Sequence, residues 1–322
     1  MMQNRDKTLA PPTLSTTLKA GFELTTRHPW LLALPVALDC LYWIGPRLGA
    51  ASLLTPWLNQ WQAQVLSLGL VDANALTLLT DAAQSFNVIT QIAVPFLGVP
   101  ALMGGLTPPT TPVTPLVLPV TDWGVFLAAW GVCLLLGLLL GGVYFSLMAA
   151  VVAHGGVQRQ GFGRILLRNC LRHLSLAGLL FLILLACYLP LAFFLTLLAL
   201  ISPGLVLVGV AVASGLLLWL IVSLAFSLPG LFIDRLSALR ALLNSAQFVR
   251  RSFGRAILLP ALALLIGRTV GMLWRLADAG SWLTLVSIVG QAFILTSLLN
   301  ALFIFYREQT RLTAAQMPEL TV

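Results

Sequence analysis

The chain has 322 residues, 59% of them hydrophobic and only 9% charged, with a mean hydropathy of +0.97. A water-soluble domain carries about 25% charged residues, so this composition excludes a soluble globular body. The formal net charge of +8 would suit nucleic acid, but the arginines gather at the ends of apolar stretches, where they set topology and meet lipid phosphates. No nucleic-acid partner is expected.

Residues 1–13 are polar and proline-containing and read as a cytoplasmic tail. The first apolar stretch begins near Trp30 with no small-residue cleavage site after it, so it reads as a retained anchor. Stretches long enough to span, about 20 apolar residues each, fall at 30–49, 123–152, 175–200, 205–227, 256–274 and 282–305. Ser202-Pro203-Gly204 is a tight turn that folds the third stretch back on the fourth. Asp278-Ala279-Gly280 joins the fifth and sixth.

Residues 50–122 form an extracytoplasmic insertion with almost no charge beyond Asp72 and Asp81. Thr55-Pro56 is a candidate helix start, and Leu54, Trp57, Leu58, Trp61 and Val65 mark one apolar stripe. Asp72 is a candidate N-cap for a second helix running towards Pro95. From Thr107-Pro108-Pro109 to Pro119 the chain is too proline-rich for a helix. The expectation is an outer helical cap, with Trp57 and Trp61 as the anchors of a docking face for a membrane-protein partner.

Orientation follows from the basic residues. With six spans, Arg5, Lys7, Lys19, Arg27, Arg159, Arg164, Arg168, Arg172, Arg235, Arg240, Arg250, Arg251, Arg255, Arg307 and Arg311 all fall on one side. Only Arg47 and Arg275 fall on the other, and Trp43, Trp57, Trp61, Trp123, Trp274 and Trp282 lie at or beyond the outer span ends. Both termini are therefore expected in the cytoplasm, with residues 306–322 as a second tail, and the whole of 1–322 as a single membrane domain.

A short repeat precedes three spans: Gly161-Phe162-Gly163-Arg164, Ser252-Phe253-Gly254-Arg255, and a looser Gly21-Phe22 with Arg27-His28. It predicts an all-α integral membrane protein with six transmembrane helices in three hairpins, each preceded by a cytoplasmic amphipathic helix. In 162–174, Arg164, Arg168 and Arg172 recur every fourth residue. In 238–255, Arg240, Arg251 and Arg255 share a side opposite Leu239, Leu242, Leu243 and Ala246. Such helices lie in the headgroup plane and touch anionic lipid.

Ionisable groups inside a bilayer cost several kcal/mol unless paired. Counting about 1.5 Å per residue, Asp39, Arg268 and Gln291 lie at similar depth, which predicts a buried polar cluster of Asp39, Arg268 and Gln291 with Thr269 nearby. Gly137-xxx-Gly141 and Gly267-xxx-Gly271 fit the small-residue packing motif. Pro35, Pro190 and Pro260 interrupt apolar stretches. Cys40, Cys133, Cys170 and Cys187 read as small hydrophobes, and no spacing joins them to His28, His154 or His173 as metal ligands. There is no HExxH, GxSxG, GxxxxGK[ST] or GxGxxG, so neither a catalytic site nor a cofactor is expected.

The run Phe248-Val249-Arg250-Arg251-Ser252-Phe253-Gly254-Arg255, entering an apolar span, resembles uncharacterised bacterial polytopic membrane proteins related to the membrane domain of glycerophosphodiester phosphodiesterases. Arg27-His28-Pro29-Trp30-Leu31-Leu32 with Leu38-Asp39 carries the same resemblance. The catalytic domain of that family has no counterpart here. The resemblance implies a six-helix bundle of a prokaryotic cytoplasmic membrane. The expected role is non-enzymatic: a structural or interaction subunit organising lipid or a partner complex. The alternative is a transporter or lipid-handling protein using the intramembrane cluster.

Overall fold

The computed structural model describes residues 13–67, 73–105, 107–156, 161–251 and 253–315. Arg5, Lys7, Asp72, Arg159 and Ser252, to which the sequence assigns topology, capping or repeat roles, lie outside the described residues.

Helix α1 (Leu14–Arg27) starts where the Thr13 side chain accepts from the Thr16 amide, 3.3 Å away. A 3-10 turn, Pro29–Leu32, leads into α2 (Ala33–Ile44) and a short strand β1 (Arg47–Gly49). Helices α3 (Ala51–Ser67) and α4 (Ala73–Gln84) follow, then strand β2 (Val117–Pro119), which pairs in parallel with β1. The elements that follow are all helices: α5 (Trp123–His154), α6 (Phe162–Ile201), α7 (Pro203–Leu224), α8 (Ser227–Phe232), α9 (Ala238–Arg251), α10 (Phe253–Trp274) and α11 (Leu283–Ala315).

Among the described residues, five stretches are helical, long and apolar enough to cross a membrane: α5, α6, the α7–α8 run, α10 and α11. The expected first span is different. Pro29–Ile44 is shorter than the other five, roughly 24 Å if helical throughout, against a hydrocarbon core of about 30 Å. Two further boundaries change. The basic segment 162–174 is not a separate surface helix but the first turns of the 40-residue α6. The stretch expected to begin the C-terminal tail stays helical to Ala315.

The described chain divides into two compact units. The first takes residues 1–28, 142–266 and 297–322. Its core is aromatic: Phe226, Phe305 and Tyr306 are fully buried among Val249, Ala256, Leu259 and Leu302. Helix α1 lies very close to α11, because a Cβ on Gly21 would sit 2.4 Å from the Ser297 carbonyl oxygen. Helix α9 buries Ala238, Ala241, Leu242, Ser245 and Val249, a stripe with helical spacing. Leu239 and Leu243, expected on the same apolar side as Leu242, are instead 58% and 57% exposed. The apolar face of α9 is therefore shared between protein and surroundings. Helices α6 and α7 reverse at Ser202, which caps α7 by accepting from the Gly204 amide, with Pro203 at the first helical position.

The second unit takes residues 29–141 and 267–296. Helix α3 begins at Ala51, earlier than Thr55-Pro56 predicts, and Pro56 lies inside it. Of the expected stripe Leu58 is buried, while Trp57 is 54% and Trp61 37% exposed. Helix α4 ends at Gln84, and a 3-10 turn, Val88–Ile92, takes over before Pro95. The chain from there to β2 has no helix among the described residues, and the part from Thr107 to Pro119 is non-helical as its prolines predict. Part of it is deeply buried: Val88, Ile92, Val99, Leu102 and Met103 are at most 8% exposed. Glycines make the room. A Cβ on Gly137 would lie 2.2 Å from the Ile92 carbonyl oxygen, and one on Gly141 2.2 Å from that of Leu97. The Gly137-xxx-Gly141 pair therefore admits irregular backbone against the middle of α5, not a neighbouring helix. Gly267-xxx-Gly271 does serve helix packing, against Leu295 and Gln291 of α11.

Candidate functional site

Asp39 sits on α2 five residues before its end and is fully buried. Its two carboxylate oxygens accept from consecutive backbone amides: Oδ2 from Leu102 at 2.8 Å and Oδ1 from Met103 at 2.7 Å. Non-helical backbone removed from water needs such partners, since each unsatisfied group costs several kcal/mol. Arg275, at the end of the α10 stretch, completes the clamp by donating from Nη2 to the Leu102 carbonyl at 3.3 Å. The carboxylate and the guanidinium thus grip one turn of chain from two sides. A second tether lies nearby in sequence: Trp43 donates from its indole to the Ala279 carbonyl at 2.8 Å and meets Trp282 edge to face. Arg47 donates to the Pro108 carbonyl at 2.9 Å.

The expected cluster does not form. Arg268 and Thr269 are exposed, and Arg268 makes no ion pair with a described residue. Asp39 takes backbone amides in place of Arg268. Gln291 is buried but donates to the Gly267 carbonyl at 3.1 Å. The reason is angular. Gly267 and Gly271, one turn apart, face α11, and with 3.6 residues per turn Arg268 is carried about 100° round the helix from Gly267.

In the first unit the arginines behave in two ways. Arg240, Arg251 and Arg255 are exposed. Arg164, Arg168 and Arg172 line a pocket with Ile165, Asn169 and Arg235. Nothing in the sequence groups Arg235 with them; it joins them in the turn after α8, where it adopts φ 54°, a left-handed conformation uncommon outside glycine. That turn is anchored by its neighbour. Asp234 accepts from the Tyr306 hydroxyl at 2.6 Å, and the hydroxyl accepts from Asn244 Nδ2 at 2.8 Å. A second pocket, lined by Lys19, Phe22, Glu23, Thr26 and Arg27, is more open. Neither pocket includes Asp39, Arg268 or Gln291.

Other polar groups are structural. Asn300 donates to Thr25 at 2.9 Å and Asn169 to Ser146 at 3.2 Å, both buried. His173 is enclosed between the rings of Phe145 and Phe232. Cys133 and Cys170 are buried and Cys40 partly so, whereas Cys187 is exposed on α6, unlike the buried hydrophobe expected. Among the described residues no group of His, Cys, Asp or Glu is placed to hold a metal ion.

No family model, curated protein or solved structure matches the chain.

Proposed function

We propose that the chain is a non-enzymatic, multi-pass protein of a prokaryotic cytoplasmic membrane with a structural or interaction role. Its outer element, held rigid from within, presents α3 to a membrane-protein partner, and its basic face meets anionic lipid. The observation that carries this reading is the commitment of Asp39: both oxygens are taken by the Leu102 and Met103 amides, so the carboxylate most suited to a solute or a proton is spent on holding the chain. A transporter built on Asp39, Arg268, Thr269 and Gln291 is the less supported reading, because Asp39 is buried on backbone amides while Arg268 and Thr269 are exposed.

In this proposal the short Pro29–Ile44 run is the sixth crossing, helped by tilting or local thinning of the bilayer. Five crossings would put the basic N-terminal segment (Arg5, Lys7, Lys19, Arg27) and the C-terminal Arg307 and Arg311 on opposite sides, against the rule that such residues stay in the cytoplasm. Six put them together. Reporter tags at the two termini decide this: both read cytoplasmic, and tags in opposite compartments end the six-crossing plan.

The role is tested by placing a photoreactive residue at Trp57 and, separately, at Trp61, with irradiation of native membranes. A discrete adduct with one membrane protein is expected from both positions. A chain that crosslinks to nothing, and that carries solute into vesicles when reconstituted alone, makes the transporter reading the right one.

A further inference from the structure

We propose that Arg164, Arg168 and Arg172 of α6, with Arg235 from the turn after α8, form a binding site for one phosphate group. The inference deepens the reading of the basic face as the side that meets anionic lipid, and names a discrete site within it.

Four observations carry the site. The three α6 arginines recur every fourth residue, which stacks them on one side of the helix. The fourth arrives from a different element and from a strained conformation, φ 54°, held by the Tyr306–Asp234 hydrogen bond. Backbone outliers of this kind persist where the surroundings over-determine them. The pocket wall contains four guanidinium groups and no carboxylate among the described residues, so the wall itself supplies no counter-charge to these like charges. Finally, Nη1 of Arg172 is buried with no hydrogen-bond partner among the described residues, although a buried donor left unmade costs about 1–3 kcal/mol.

An oxyanion resolves both problems at once. Guanidinium forks match phosphate oxygens two at a time, in charge-assisted hydrogen bonds. The cavity volume of ≈ 80 Å³ exceeds what a single water needs and admits a tetrahedral anion. The floor is fixed, because Asn169 is held by Ser146. Arg240, Arg251 and Arg255 offer the same charge without the enclosure, and they bind diffusely.

The phosphate has two sources, a lipid headgroup or the free anion. Full-length chain in detergent is melted with inorganic phosphate against chloride at matched ionic strength. In parallel, the chain reconstituted in phosphatidylcholine is melted with and without added phosphatidate. The wild type is expected to gain unfolding temperature with phosphatidate, and a gain with inorganic phosphate as well identifies the free anion as sufficient. R172Q and R164Q each weaken the response at least tenfold in ligand concentration, while R240Q, which removes one diffuse contact outside the pocket, weakens it far less. Arg164 is exposed, so R164Q keeps the test usable if R172Q does not fold. No gain over the controls in the wild type, or a gain that survives both R164Q and R172Q, overturns the site. In the latter case the chain still meets anionic lipid through its basic face, and only the pocket falls.

Discussion

Two apolar regions of this molecule look alike in sequence and behave differently. In the most apolar part of α6 no residue is buried, and in α7 only 6% are, whereas in α11 61% are. On the α6–α7 pair, Phe193, Leu200, Ile201 and Leu207 stand 68–80% exposed. On α11 the residues that disappear from the surface include Thr284, Ser287, Gln291, Thr296, Ser297 and Asn300, all at most 4% exposed. Burial on α11 takes these polar residues together with large apolar ones such as Phe303, Phe305 and Tyr306, so apolarity alone does not decide which helix packs. In a bilayer leucine gains little by leaving lipid for protein, so packing is driven by close approach and hydrogen bonds.

That contrast is broken most forcefully at Gly21. Its Cβ would overlap the Ser297 carbonyl at 2.4 Å and the Ala301 backbone nitrogen at 2.8 Å, and backbone atoms cannot rotate aside. Gly21→Leu is expected to cost about 3 kcal/mol or more, seen as a large drop in the unfolding temperature of the detergent-solubilised chain. A near-wild-type melt would mean that α1 does not pack on α11 as described.

Asp39→Ala comes next. It leaves two buried amides without an acceptor, a loss of about 2–3 kcal/mol, and it releases the turn at Leu102 and Met103. Limited proteolysis gives the sharper readout, because cleavage between residues 88 and 105 should rise more than cleavage elsewhere. Asp39→Asn keeps one acceptor oxygen and is expected to fall between Ala and wild type. Equal melts for all three would show that the carboxylate does not hold this segment. A smaller effect, about 1 kcal/mol, is expected for Asn300→Leu, which removes the hydrogen bond to Thr25; unfolding of the variant beside Thr25→Val measures it. Losses that add fully in the double variant would mean the two side chains do not interact.

The positions of α5, α6, α7, α10 and α11 were legible because hydropathy marks helices that meet lipid. The turn at Ser202 and the irregular run after Thr107 were legible too, from proline and glycine. What hydropathy does not encode is which way a helix faces. Asp39 and Arg268 share a depth, but Gly267 and Gly271 put the packed face of α10 about 100° away from Arg268. The glycine spacing was in the sequence and pointed to the right face. The true acceptor–donor match of Asp39 was not readable at all, since its partners are backbone amides that any residue at 102 and 103 would offer. Arg164, Arg168 and Arg172 could be grouped by spacing alone; Arg235 could not, because its membership depends on a left-handed turn with no glycine to announce it.

The least effect is expected where the apolar surface is largest. Leu197→Ala on α6 and Val208→Ala on α7 remove side chains that are 44% and 60% exposed, so each should change stability by less than about 0.5 kcal/mol. Gly209→Ala is the internal control: its Cβ meets only the mobile ends of Leu195 and Leu198, at 2.7 and 3.0 Å, and those ends can rotate away. All three melts should therefore lie above that of Asn300→Leu, even though leucine and valine are the more hydrophobic residues. If instead Leu197→Ala or Val208→Ala lowers the unfolding temperature in native-lipid discs while leaving it unchanged in detergent, lipid alone does not cover this pair. A second protein surface, lost on solubilisation, would then be packed against it, and α6–α7 would join α11 as a packed element of a larger assembly.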